Sequence, residues 1–204
     1  MERIDKINYY LEIADTVTKR GTCLRRNYGA IIVKNDEIIS TGYTGAPRGR
    51  NNCIDLGYCA RQKLNIPSGQ RYELCRSVHA EQNAVISAAR KDTIGATMYM
   101  VGRDAQTGEL VDYIDSCSMC KRVVINAGIE QVIVKDKNKA CGYRVMNVQD
   151  WIDYDEVLEE KEILIDEESE EVEESEVGNS IVVANVGELS GKRKSTQRAF
   201  TTMD

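Results

Sequence analysis

Apolar positions in RIDKINYYLEIADTVTKR recur at helical spacing, and the pattern predicts an amphipathic helix over residues 3–20. The period then changes. YGAIIVKNDEIISTGYTG holds two short apolar runs broken by KND, which predicts a β-hairpin. Residues 44–76 show no period, are rich in Gly, Asn, Arg and Cys, and contain both prolines, Pro47 and Pro67. Irregular structure of a functional kind is expected there. From Ala80 to Arg90 the residues are good helix formers, with Ala84, Val85, Ala88 and Ala89 as small apolar contacts. ATMYMVG reads as a buried strand, RDAQTGELVDYIDS as a polar insertion, and CSMCKRVVINAG as a second helix with Ser116 as its N-cap and Gly128 as its stop. IEQVIVK is the next strand. This alternation predicts βαβ units with a right-handed crossover, an α/β layered domain whose two later helices lie side by side.

Beyond Trp151 the pattern dissolves into DYDEVLEEKEILIDEESEEVEESEV, too charged and too poor in apolar residues to extend a core. The chain therefore divides into a domain over 1–152 and an acidic, flexible tail over 153–204. Within the tail SIVVANVG could add a short strand or pack on a partner, while GKRKSTQRAF reads as solvated. The formal charge of -6 conceals the same division: residues 1–152 carry 22 basic and 17 acidic side chains, residues 153–204 carry 5 and 16. A mildly positive domain suits a small anionic substrate.

The first twenty residues lack the apolar centre and cleavage site of a signal peptide, and no run is long enough to span a bilayer. Seven cysteines, an odd number, in a chain without export signals point to reduced thiols and a cytoplasmic location, where cysteine clusters more often bind metal than form disulfides.

The chemistry centres on HAEQNA, whose first residue, His79, is the only histidine of the chain. His79 begins one predicted helix, and Cys117 and Cys120 begin the other. A C-x-x-C at a helix start can aim both sulfurs at one centre, where the helix dipole favours thiolates. Three soft ligands fit zinc and leave its fourth position open, as in catalytic rather than structural sites. Hydrolysis at such a metal also needs a proton carrier. A carboxylate, cysteine, lysine or tyrosine could serve, and Glu81, two residues past His79, is placed for it.

His79-x-Glu81 followed by Cys117-x-x-Cys120 resembles the zinc deaminases of nucleobases and nucleotides. More narrowly, GAIIVKNDEIISTGYTGAPRG, HAEQNA and CSMCKRVVINAGIEQVIV are similar to the deoxycytidylate (dCMP) deaminase family over about residues 3 to 150. The resemblance implies a cytidine-deaminase-like α/β/α domain with a central mixed sheet. It also implies attack of a zinc hydroxide on C4 of cytosine in dCMP and loss of ammonia to leave dUMP, the precursor for thymidylate synthesis, with Glu81 protonating N3 and then the leaving amine. By the same resemblance His79, Cys117 and Cys120 hold Zn2+, and Tyr43, Thr44, Ala46 and Pro47 of GYTGAPRG contact the nucleotide. Arg25 and Arg26, with Arg48 and Arg50 nearby, could neutralise a 5′-phosphate. Two positions depart from the family: Ser116 stands where proline precedes the first cysteine, and Thr44 where an asparagine is expected to bind the sugar.

Cys23, Cys53, Cys59 and Cys75 surround the long loop, in a region where some family members hold a second zinc, and a metal clip would offset the entropy of ordering it. The family is often hexameric and controlled by dCTP and dTTP, sometimes with Mg2+. Other readings are a deaminase of another cytosine nucleoside, base or nucleic acid, and a non-catalytic zinc-binding regulatory module. One Trp and one Phe make a polynucleotide substrate unexpected, and Glu81 speaks against a purely structural metal.

Overall fold

The computed structural model describes residues 3–154. The acidic segment expected from 153 onward, SIVVANVG included, lies outside them but for its first two residues. The first helix, α1 (Lys6–Thr18), starts where the Asp5 side chain accepts from the Asn8 backbone N–H at 3.0 Å. The hairpin follows as β1 (Arg26–Lys34) and β2 (Glu37–Tyr43), paired antiparallel with Lys34 opposite Glu37. The two-residue loop between them, Asn35 and Asp36, has positive φ at both positions, 50° and 68°, as a type I′ turn demands. Tyr10 and Lys6 of α1 hold this turn through the Asp36 carboxylate, at 2.5 and 2.8 Å.

The expected irregular stretch contains only the single-turn helices α2 (Cys53–Leu56) and α3 (Ala60–Lys63) and a 3₁₀ turn at Tyr72–Leu74. It leads into α4 (Ala80–Ile86), which stops earlier than the residue types suggest. Ala89 is extended and begins a separate turn, α5 (Arg90–Thr93). The Ser87 hydroxyl donates back to the Asn83 carbonyl at 2.8 Å, a local bond that competes with helix continuation and closes α4. Then come β3 (Thr97–Asp104), α6 (Ser118–Ala127), β4 (Gln131–Lys135), β5 (Tyr143–Asn147) and α7 (Val148–Asp153). The N-cap of α6 is Cys117, not Ser116. Its C-cap, Gly128, is left-handed at φ 75°, as its sequence position predicts.

The strands form one sheet in the order β2-β1-β3-β4-β5, with β3 and β4 parallel and the other pairs antiparallel. It is the expected mixed sheet, and helices cover both faces. Successive side chains of a strand point to opposite faces. Ile31, Val33, Tyr99, Val101 and Ile133 pack with Tyr10, Leu11 and Ala14 of α1, while Ala30, Ile32, Met98, Met100, Val132 and Val134 pack with Ala80, Ala84 and Val124 of α4 and α6. Among the described residues no helix is long and apolar enough to cross a membrane.

The contact between β2 and α4 depends on a missing side chain. A Cβ at Gly42 would run into the Ala80 carbonyl oxygen and the Ala84 backbone nitrogen. This approach lets the Asn83 amide donate to the Tyr43 carbonyl at 2.7 Å and the Ser40 hydroxyl to the Ala84 carbonyl at 2.8 Å. The start of α4 is thereby fixed against the end of β2. Because both clashes are with backbone, Gly42→Ala is expected to destabilise the chain by about 3 kcal/mol. That corresponds to a fall of roughly 10 °C in Tm for a chain of this size, readable by thermal denaturation. An unchanged Tm would show that the helix can ride away from the strand freely.

Candidate active site and metal centre

His79 is the N-cap of α4 and Cys117 the N-cap of α6, both extended, and Cys120 lies one turn into α6, fully buried. His79 Nδ1 is 3.5 Å from Cys117 Sγ and 3.3 Å from Cys120 Sγ. The three ligand atoms lie within 4.8 Å of one another, the only group of three or more such atoms among the described residues. A tetrahedral zinc with sulfur and nitrogen ligands requires ligand separations of about 3.3 to 3.8 Å, so this donor set fits the ion. The Tyr72 ring meets the His79 imidazole edge-on, 5.2 Å between centroids.

Without metal the triad holds its protons in a definite arrangement. Burial alone would push the His79 imidazole down, but hydrogen bonds to the Cys117 and Cys75 sulfurs outweigh it and the group is pushed up to about 10. Cys117 is lowered, first by its hydrogen bond with Cys120, and Cys120 is raised by the same bond and by burial. One thiolate and one imidazolium therefore face each other.

Glu81, in the first turn of α4, is 4% exposed. Burial pushes its carboxyl up. The hydroxyl of Ser116, also 4% exposed, donates to its Oε1 at 3.0 Å. Ser116 is thus not a helix cap. It stands one residue before the cap, too early to reach the free amides of α6, and spends its hydroxyl across the site.

His79, Glu81 and Cys117 line a cavity together with Arg25, Arg26 and Thr44, which the sequence also singled out. Tyr43, Ala46 and Pro47 do not line it. The Tyr43 carbonyl accepts from Asn83 and the Ala46 amide donates to Asn52 Oδ1 at 3.3 Å, so both serve the frame of the loop. Pro47, Arg48 and Arg50 are exposed. Thr44 Oγ1 accepts from the Tyr28 backbone N–H at 3.1 Å, a structural bond at the cavity wall.

The sequence reading missed Arg61, Ser68 and Tyr72, which line the same cavity. Arg61 is buried, donates to the Pro67 carbonyl at 2.7 Å and to the Gln70 carbonyl at 2.5 Å, and lies over the Tyr72 ring at 4.3 Å. No linear motif marks it, because its role depends on how residues 60–72 fold back. A cluster of charged and aromatic residues inside an otherwise irregular stretch was the available signal.

Cys23, Cys59 and Cys75 also line this cavity, and Cys53 is buried. Burial pushes the Cys53 thiol up, but the four sulfurs do not form a metal-sized group among the described residues.

Residues 4–136 match the zinc-binding region of cytidine and deoxycytidylate deaminases. The chain belongs to this family of zinc-binding deaminases. It is 32% identical over 128 residues to a deoxycytidylate deaminase of Schizosaccharomyces pombe, which covers 62% of this chain and 35% of the relative. It is 33% identical over 138 residues to a deoxycytidylate deaminase of Mycobacterium phage D29, covering 65% of this chain and 96% of the relative. The chain thus spans about a third of the yeast protein and nearly all of the phage one. Among solved structures, the dCMP deaminase of cyanophage S-TIM5 superposes with a TM-score of 0.45 at 21% identity, covering 66% of this chain and 86% of that one. The cytidine deaminase of Burkholderia pseudomallei gives 0.46 at 19% identity, covering 72% and 95%.

Metal must displace the protons of the free triad. At pH 7 His79 is an imidazolium and Cys120 a thiol, so zinc binding to the metal-free chain is expected to release about two protons. Protons compete with metal, and apparent zinc affinity should rise with pH and fall as pH is lowered. Calorimetric zinc titrations in buffers of different ionisation enthalpy measure the release directly. A proton count near zero at pH 7 would show that the triad is already deprotonated.

Proposed function

We propose that this chain hydrolyses dCMP to dUMP and ammonia. The observation that carries the reading is the meeting, in one cavity, of the His79–Cys117–Cys120 triad, the buried Glu81 carboxyl and the cationic side chains Arg25, Arg26 and Arg61. The triad holds zinc, and zinc bound there supplies a water whose pKa falls to about 7. Glu81 would carry one proton of the attacking water to N3 of the cytosine ring, and then carry the second, from the hydroxyl now on C4, to the amine that leaves. The substrate gains the oxygen of one water and loses ammonia, and the carboxyl returns to its starting state. A carboxyl held up by burial is suited to giving protons near neutral pH. The arginines supply the positive charge that a 5′-phosphate needs, and deoxycytidylate is the substrate class in the names of both relatives.

A nucleoside or base substrate would leave this charge at the cavity wall without a task, and the scarcity of Trp and Phe speaks against a polynucleotide. Ammonia release from a panel of cytosine nucleotides, nucleosides and bases decides among them. We expect kcat/KM for dCMP to exceed that for deoxycytidine by roughly 100-fold, and equal efficiency would sink the phosphate role. Glu81→Gln should keep its zinc and lose about 10² to 10⁴ in turnover. Near-normal activity in that variant would remove Glu81 from the reaction, and no activity on any cytosine compound would leave the non-catalytic zinc module.

A second zinc held by Cys23, Cys53, Cys59 and Cys75 belongs to the same reading and rests on the family resemblance and on three of these thiols, Cys23, Cys59 and Cys75, lining one cavity, although the four sulfurs do not meet as one group among the described residues. Metal analysis of the fully reduced, zinc-loaded chain should give two zinc atoms, falling to one in Cys53→Ser with the triad still loaded. One zinc in the wild type would rule the clip out. A hexamer, control by dCTP and dTTP, and Mg2+ with a nucleotide effector rest on the family resemblance alone. Cytoplasmic residence agrees with the seven free thiols.

A further inference from the structure

Glu81 has two carboxylate oxygens, and a proton carrier works only if one of them faces the reacting atoms and stays there. Burial alone does not select a rotamer. The structure offers a specific device for it in the residue that departs from the family motif. Ser116 Oγ donates to Glu81 Oε1 at 3.0 Å across 35 residues of sequence, with both side chains 4% exposed.

The hydroxyl is itself held. The Ser116 backbone N–H donates to Asp115 Oδ1 at 2.8 Å, and the other oxygen of Asp115 pairs with Lys121 Nζ of α6 at 3.2 Å. One residue earlier, the Ile114 carbonyl accepts from the half-buried Arg144 guanidinium. On its open side the hydroxyl meets only Met100 Sδ, at 4.0 Å. Residues 114–116 are therefore pinned to α6 on one side and to β5 on the other, and the hydroxyl they present has one strong acceptor. Proline at this position would give the carboxylate no donor.

We propose that Ser116 is a positioning residue for Glu81: its hydroxyl clamps Oε1 and leaves Oε2 as the oxygen that exchanges protons with substrate and water. The inference rests on the assignment of Glu81 as proton carrier, and it adds a component that this chain supplies from a side chain where its family supplies a ring. Loss of the clamp acts on the chemical step and not on substrate binding or metal holding, because Ser116 lines neither the cavity wall nor the triad.

The test compares Ser116→Ala and Ser116→Thr with the wild type. Ser116→Ala should keep its full zinc content and a KM for dCMP within about 3-fold of wild type, and lose roughly 10-fold in kcat, the worth of one hydrogen bond to a charged group. Ser116→Thr, which keeps the hydroxyl, should recover most of that loss. A second measurement needs neither metal nor substrate. In the zinc-free chain the effects of Ser116→Ala and Glu81→Ala on Tm should be non-additive, with Ser116→Ala nearly silent once Glu81 is gone. Unchanged kcat in an active, zinc-loaded Ser116→Ala, equal losses in the alanine and threonine variants, loss of zinc from Ser116→Ala, or additive melting effects would each overturn the proposal. A wild type inactive on every cytosine compound would instead defeat the functional reading, and the melting cycle would still decide whether the clamp exists.

Discussion

The parallel pairing of β3 with β4 governs the molecule. Two parallel neighbours cannot be joined by a tight turn, so the chain must leave the end of β3, cross a face of the sheet and return, and α6 is that return. The crossover places the start of α6 near the carboxyl end of β3. Earlier in the chain, α4 is pressed onto the same face by the contact at Gly42. Two helix starts then converge on one spot, and everything chemical about the chain lies there. The sheet is the jig and the helix starts are the tools. His79, Glu81, Cys117 and Cys120 sit in first turns because these are the positions the jig brings together.

The site also settles a conflict between burial and charge. A carboxyl, an imidazole and two thiols, all wholly or half buried, would be costly as separate ions. Their mutual hydrogen bonds let them share protons, so the free site carries paired and not isolated charge. The cationic wall is arranged differently. Arg25 and Arg26 keep contact with solvent, while Arg61 is buried and donates from one terminal nitrogen to two backbone carbonyls, its Nε left without a partner among the described residues. That one guanidinium ties residues 67–72 into a roof and braces Tyr72, which in turn abuts the His79 ring.

Local features were legible in the sequence and long-range ones were not. The hairpin could be read because its turn chemistry lies within a few residues. So could α6, since Gly128 stops it by its own backbone conformation, and the triad, since each ligand is tied to the start of a helix. The early end of α4 could not be read from propensity, because it depends on a serine closing back on Asn83. Residues 143–153 showed no clear period: β5 is an edge strand of mixed exposure, and α7 is only six residues long. Arg61 and the Ser116–Glu81 bond are matters of chain reversal. They join residues that no spacing rule relates, and only the folded sheet makes them neighbours.

The ligands of the triad are separated by 38 and 41 residues, and the whole of β3 lies between them. An ion bound to all three is therefore a cross-link as well as a reagent. It closes a loop of the size for which a covalent bridge removes chain entropy worth about 4 kcal/mol from the unfolded state. The seven cysteines of the chain are free, so no disulfide does this work. The metal ties the central strand between its two flanking helices, so that the ion used for chemistry also serves as the staple of the core.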